Sequence, residues 1–168
     1  MICGKLGFPP YPECPIPLSF YPVVNIALMW FGAPLAAYLG RRNVLIGLSF
    51  WGLLLANGLV HSAGGVAEGA YNTGLLSAAI LFVPLSLWVI YACAIRGPVS
   101  GKVVGVAFVA AALTHVLLFF GYGLFKSGVI GNPGLLAFAV FVGFAPIILA
   151  TLASRLFEPG LLRTVRAK

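Results

Sequence analysis

Charged residues are scarce in this sequence, and acidic residues are the scarcest of all. Only 8% of the 168 residues are charged, and three of them are Asp or Glu. Soluble domains usually carry about 25% charged residues, so a water-soluble fold is excluded. No Asp, Glu, Lys or Arg falls in the middle of a long apolar stretch. This absence argues against a proton or ion pump, because such proteins carry buried carboxylates.

A secretory signal and a recognisable hydrolytic site are also missing. The prolines at positions 9, 10, 12, 15 and 17 prevent an apolar helix near the N-terminus. Only two histidines could act as a general base, and neither has a clear nucleophile beside it. We therefore assign no catalytic residue and no metal site, and we expect a protein that is not an enzyme.

The net charge of +7 does not indicate nucleic-acid binding, and no nucleic-acid partner is expected. The basic residues flank apolar stretches, where they set orientation and attract anionic lipid headgroups. The lipid bilayer is therefore the expected environment.

Five long apolar stretches dominate the rest of the sequence. They occupy residues 16–40, 44–64, 73–95, 103–125 and 133–153, and we call them spans one to five. Each has roughly the twenty residues that a helix needs to cross a ~30 Å hydrocarbon core. The sequence therefore predicts an all-α, polytopic membrane protein with five transmembrane helices.

The positions of the basic residues predict the orientation of these helices. Eight of the ten Lys and Arg residues lie on one side of the membrane if the N-terminus is outside and the C-terminus inside. By the positive-inside rule that side is the cytoplasm. We expect an extracytoplasmic Pro-rich arm over 1–15, a five-helix bundle over 16–155 and a basic cytoplasmic tail over 156–168. The expected location is the inner (cytoplasmic) membrane of a bacterium.

The N-terminal arm carries two of the three cysteines, Cys3 and Cys14. In an oxidising compartment they could form a disulfide bond, but two unpaired cysteines in a loose arm are an equal alternative. The density of prolines predicts an extended segment along the membrane surface.

Few polar residues lie within the spans, and these are the candidate binding residues. Asn57 and His61 share one face of span two, since they are four residues apart. His115 lies in span four, and Asn25 lies near the outer side of span one. Structural hydrogen bonding to neighbouring helices is one role for the histidines. The alternatives are axial ligation of a haem or chlorophyll-type pigment through His61 or His115, and a polar pocket formed by Asn57, His61 and His115 for a lipid-like ligand.

One segment, residues 57–89, resembles the central part of the bacterial HXXEE-motif membrane proteins. In that family an Asn-x-x-x-His on the second span precedes a Tyr- and Gly-containing turn and an apolar helix with a Leu-Pro step. The residues that match are Asn57, His61, Tyr71, Gly74 and Pro84. The resemblance implies a five-span fold of similar length.

The motif that names this family is absent. The family carries His-x-x-Glu-Glu on span one, where it would place a metal or acid–base cluster on one helix face. The nearest placement here puts Asn25 at the His position and Leu28 and Met29 at the two Glu positions. Since the family has no assigned activity, the resemblance implies a fold and a candidate face but no reaction.

These observations favour a non-catalytic integral membrane protein that serves as an accessory or structural subunit of a larger complex. Its expected partners are the bilayer and other membrane protein subunits. A small membrane enzyme or carrier and a haem- or pigment-binding protein remain the alternatives.

Overall fold

The computed structural model of the protein describes residues 2–69, 71 and 74–156. Most of the tail predicted at 156–168 and the predicted first residue of span three, Thr73, lie outside the described residues. A short helix, α1, covers Ile2–Lys5. The five long helices are α2 (Phe20–Gly40), α3 (Val44–Glu68), α4 (Leu75–Ile95), α5 (Gly101–Lys126) and α6 (Asn132–Leu156).

All five long helices are long and apolar enough to cross a membrane. The prediction of an all-helical protein is therefore confirmed for the described residues, together with five helices of the length and composition that a multi-pass membrane protein requires. Helices α2 to α6 correspond to spans one to five.

Two predicted boundaries were wrong by four residues. Helix α2 begins at Phe20 and not at residue 16, because Pro15 and Pro17 lack the N–H that helical turns require. Helix α3 continues beyond residue 64 to Glu68. It stops at Gly69, whose left-handed backbone (φ 58°) ends a helix without steric cost.

Prolines widen two of the helices. The turns over Ile26–Gly32 in α2 and Ala78–Phe82 in α4 are π-helical, and each stretch ends two residues before a proline, Pro34 or Pro84. Proline offers no N–H to the carbonyl four residues earlier, and its ring crowds that carbonyl. A π-helical turn before the proline accommodates this lost hydrogen bond.

Helix α3 is the centre of the bundle and contacts each of the other four spanning helices. Of its most apolar 18-residue window, 56% is buried, compared with 17% in α2 and 11% in α4. Helix α4 packs chiefly against α3, so most of its surface faces the surroundings.

Helices α2 and α6 meet backbone against backbone. A Cβ atom added to Gly143 in α6 would lie 2.7 Å from Ala27 Cβ and 2.9 Å from the Ala27 carbonyl carbon. A Cβ added to Gly32 would lie 2.6 Å from the Gly143 carbonyl oxygen. Lipid tails are as apolar as leucine, so close packing of this kind is what drives helices together in a bilayer.

The N-terminal arm folds over the end of the bundle where α5 ends and α6 begins. A disulfide bond joins Cys3 to Cys14, and the Lys126 ammonium donates a hydrogen bond to the Leu6 carbonyl at 2.6 Å. Arm and helices share a cluster of buried residues: Cys3, Cys14, Ile16, Phe20, Tyr122, Leu135 and Ala139. The arm is therefore not the extended segment that its prolines predicted, because this cluster and the disulfide hold it against the helices.

Gly143→Ala tests the contact between α2 and α6. The added methyl group meets backbone atoms that cannot rotate away, so we expect the free energy of unfolding to fall by about 1–3 kcal/mol. The measurement is unfolding in mixed micelles with increasing SDS, followed by circular dichroism.

Gly105→Ala in α5 is the matched control, since nothing lies within 4 Å of its added Cβ. It should leave stability unchanged or raise it by up to about 1 kcal/mol, because Ala favours helix over Gly. Equal losses in both variants would contradict the packing described here.

Candidate functional site

Asn57 lies half-buried in α3, and within the described part of the chain its amide makes no hydrogen bond. An amide without a partner is costly in an apolar medium. Val60, three residues on, is 60% exposed, and Gly64, seven residues on, is half-buried. The Val60 side of this part of α3 is therefore open to the surroundings, and Asn57 lies at its edge, since Leu53, four residues earlier, is buried.

The imidazole of His61 lies against the backbone of Gly74, the residue that precedes α4. A Cβ added to Gly74 would lie 3.2 Å from Cε1 and 3.3 Å from Nδ1 of the ring. Gly74 has a positive φ of 97°, which residues with a Cβ rarely adopt. The backbone conformation therefore favours glycine at this position, and a side chain there would also displace the imidazole by a few tenths of an ångström.

His61 belongs to a line of small and polar residues between α3 and α4, which we call the α3–α4 seam. It consists of Gly58, His61, Gly74, Ser77 and Ser86. The Ser77 hydroxyl donates to the Gly74 carbonyl at 3.0 Å. A Cβ added to Gly58 would lie 2.8 Å from Cγ2 of Val83, so the two helices are in close contact here.

Ser86 lies in the part of α4 that packs against α3, and it is fully buried. Its hydroxyl has no hydrogen-bond partner among the described residues. The sequence analysis did not single out Ser86. Its only signal was a lone hydroxyl within the apolar run LFVPLSLWVI.

His115 is held by its own helix. Its Nδ1 lies 3.2 Å from the Ala111 carbonyl oxygen. Because a carbonyl only accepts, Nδ1 is the donor, and Nε2 of the neutral ring keeps its lone pair. The neighbouring Thr114 is buried and donates to the Ala110 carbonyl at 3.0 Å. His115 is therefore positioned like a helix-packing residue with one nitrogen left to accept a hydrogen bond or bind a metal.

The two histidines lie at different depths. Gly52 of α3 and Ala111 of α5 meet at one level, since a Cβ on Gly52 would lie 3.3 Å from that of Ala111. His61 is nine residues beyond this contact and His115 four, which separates them by roughly 8 Å along parallel helices at 1.5 Å per residue. This separation does not suit a single haem bridging the two imidazoles.

Asn25, Leu28 and Met29, the nearest placement of the family motif in the sequence, lie on α2. Asn25 is exposed, and its amide donates to the Tyr21 carbonyl at 2.8 Å. Leu28 and Met29 pack against the larger apolar core of the bundle. In the described part of the chain no group of three His, Cys, Asp or Glu side chains could hold a metal ion.

A family model described as "Protein of unknown function with HXXEE motif" matches residues 15–89 of this chain. The resemblance predicted from residues 57–89 is confirmed, and the match reaches back to the end of the arm. It includes Asn25, Asn57, His61 and the α3–α4 seam, whereas α5, with His115, and α6 lie outside it. No curated protein and no solved structure matches the chain significantly.

Gly74→Ala tests the contact with His61. Strain at a positive φ costs about 1–3 kcal/mol, and displacement of the imidazole adds to it, so we expect a loss of about 2–4 kcal/mol in unfolding free energy. Gly69→Ala is the control, since Gly69 also has a positive φ (58°) but nothing lies within 4 Å of its added Cβ. That variant should lose about 1 kcal/mol.

A double-mutant cycle isolates the contribution of the ring. In a His61→Ala background, the cost of Gly74→Ala should fall by about 1 kcal/mol, whereas the cost of Gly69→Ala should not change. An unchanged cost at Gly74 would show that the ring contact contributes nothing.

Proposed function

We propose that this chain is a non-catalytic integral membrane protein that acts as an accessory or structural subunit of a larger membrane complex. The observation that carries the proposal is which residues occupy the motif positions on α2. Leu28 and Met29 stand where the family has two glutamates, and both pack into the apolar core. Neither side chain can transfer a proton or supply a carboxylate, so the candidate face lacks the chemistry that the two glutamates of the family motif would supply.

Asn57 supports the second half of the proposal, the presence of a partner. In hydrocarbon, an asparagine amide gains by hydrogen bonding to another helix. The Asn57 amide has no such bond within the described residues, and Asn57 borders the exposed Val60 side of α3. We infer that a helix of a neighbouring subunit lies along Asn57, Val60 and Gly64 and binds the amide.

We also propose that the N-terminus is outside and the C-terminus inside, in the cytoplasmic membrane of a bacterium. The end of the bundle where α2 and α3 join carries Arg41, Arg42, Arg96, Lys102 and Arg155. Lys126 lies at the opposite end, beside the arm. The positive-inside rule puts the first group in the cytoplasm.

Two other functions use the same residues. A pocket for a lipid-like ligand would draw on the Asn57 amide, with His61 and His115. A haem- or pigment-binding protein would use the Nε2 lone pair of His115, or His61, as an axial ligand. These functions predict that a lipid-like ligand or a pigment copurifies with the chain, whereas the proposed function predicts another membrane protein.

We expect the chain, extracted gently from its native membrane, to purify with at least one other membrane protein in fixed proportion. Asn57→Leu should weaken this association by about 1–2 kcal/mol, or roughly 5- to 30-fold. The measurement is the ratio of copurifying chains by mass spectrometry, with an absorption spectrum of the same sample. Asn25→Leu is the control, because that amide is already bonded within its own helix.

A solitary chain with catalytic turnover would overturn the proposal. A Soret or chlorophyll-type band that follows this chain alone and disappears with His115→Gln or His61→Gln would establish the pigment-binding function instead.

The proposed orientation predicts a pattern of thiol labelling. In a Cys93→Ser background, a cysteine at exposed Ser127, which follows α5, should react with a membrane-impermeant maleimide in intact cells. A cysteine at exposed Lys102 should react only after permeabilisation. The reverse pattern would show that the orientation is inverted.

A further inference from the structure

A basic cleft lies at the turn that joins α2 to α3. It has a volume of about 240 Å³ and is lined by Tyr38, Arg41 and Arg42. A single water molecule needs about 10–15 Å³, so the cleft has room for a group much larger than water.

We propose that this cleft binds a phosphate group, carried either by the headgroup of an anionic phospholipid or by a soluble phosphate. The donors are the first reason. Each guanidinium carries five N–H donors in a planar fork that matches the oxygens of a phosphate. The Tyr38 side chain, which is 57% exposed, adds a hydroxyl that can donate to a third oxygen.

The second reason is that these donors are not used within the protein. Among the described residues, neither the Arg41 nor the Arg42 guanidinium has a hydrogen bond or an ion pair. Arg96, at the same end of the bundle, differs. Its Nε donates to the Tyr91 hydroxyl at 3.0 Å, and its guanidinium lies 5.8 Å from the centroid of that ring.

The third reason is electrostatic. The two described acidic residues, Glu13 in the arm and Glu68 at the end of α3, lie at the opposite end of the bundle. The negative end of α2 and the positive end of α3 meet at the turn, so their helix dipoles largely offset each other. The two arginine charges therefore determine the sign of the potential, and the cleft attracts anions.

The position of the cleft suits a lipid headgroup in particular. The turn follows the last residue of α2, Gly40, and precedes the first residue of α3, Val44, so it lies where the spans leave the hydrocarbon. Basic pockets between transmembrane helices at this level bind anionic headgroups. The backbones of the two helices are in contact beside the turn, since a Cβ on Gly40 would lie 3.2 Å from the Gly47 Cα. The turn that carries Arg41 and Arg42 is therefore held between two helix ends in direct contact.

The experiment compares lipid retention by native mass spectrometry of the full chain in a zwitterionic detergent. The probes are phosphatidylglycerol, phosphatidylcholine and inorganic phosphate. The unmodified protein should retain one phosphatidylglycerol per chain at least tenfold more tightly than phosphatidylcholine. Arg41→Gln/Arg42→Gln should weaken phosphatidylglycerol binding at least tenfold. Arg41→Lys/Arg42→Lys, which keeps the charge but loses the planar fork, should weaken it several-fold.

The matched control is Lys102→Gln/Arg155→Gln, which removes two charges from the same end of the bundle away from the cleft. It should change phosphatidylglycerol binding less than twofold. Losses as large in this control as in Arg41→Gln/Arg42→Gln would overturn the proposal, because they would reflect the overall field of the basic end. An absence of preference for phosphatidylglycerol over phosphatidylcholine, together with no binding of inorganic phosphate, would also overturn it.

Inorganic phosphate distinguishes the two sources of the ligand. If millimolar phosphate does not displace phosphatidylglycerol, the cleft is a lipid site. If phosphate displaces the lipid and itself binds in an Arg41- and Arg42-dependent manner, the ligand is a soluble phosphate. The Lys variant guards against misfolding or inverted insertion, because it preserves the charges that set orientation.

Discussion

Inside a bilayer, a backbone N–H or C=O can find a partner only within the protein, because hydrocarbon neither donates nor accepts hydrogen bonds. Every long element among the described residues is accordingly a helix. The same constraint acts on the side chains. The hydroxyls of Ser49, Thr114 and Thr151 donate to carbonyls four residues earlier, at 2.7, 3.0 and 2.7 Å. The hydroxyl of each of these residues is therefore hydrogen-bonded within its own helix.

The same environment removes the usual reason for apolar helices to associate, and the packing reflects this. Backbones approach each other at glycines, as at Gly32 and Gly143 between α2 and α6 and at Gly58 between α3 and α4. Close approach gains dispersion contacts that lipid tails cannot match at that distance. Helix α3, which contacts all four other spanning helices, thus depends on small residues on several faces.

The number and type of the spans could be predicted from the sequence, because both follow from the length of apolar stretches. The ends of α2 and α3 could be predicted only within four residues, since Pro17 and Gly69 act locally and compete with hydropathy. The compact arm could not be predicted. Its fold depends on Ile16, Phe20 and Tyr122 meeting across more than 100 residues of sequence, and proline content alone says nothing about that contact.

The candidate site could also be predicted only in part from the sequence. Asn57 and His61 could be found from their spacing and from the family resemblance, because both signals are local. The contact of His61 with Gly74 and the burial of Ser86 depend on how α4 lies against α3, which no local pattern specifies. The roughly 8 Å separation in depth between His61 and His115 also depends on packing, because the contact between Gly52 and Ala111 sets the register of α3 against α5.

Since almost every polar group in a spanning helix must be satisfied, the exceptions indicate where the chain meets something else. Ser86 is one exception, but it is fully buried, so no group outside the protein can bond to its hydroxyl. The missing hydrogen bond therefore only lowers the stability of the α3–α4 seam. Asn57 and the Arg41–Arg42 pair are accessible exceptions; Asn57 lies within α3, and the two arginines lie in the turn that precedes this helix. Both fall within the segment that matches the family model, 15–89. Among the described residues, the arm, α5 and α6 contact mainly each other and helices α2 and α3. These contacts stabilise the positions of α2 and α3. In this arrangement a partner helix at Asn57 and a phosphate at the cleft would not compete. The residues that would bind a partner helix or a phosphate therefore lie in the first part of the bundle, α2 to α4, and α5 and α6 would support it through α2 and α3.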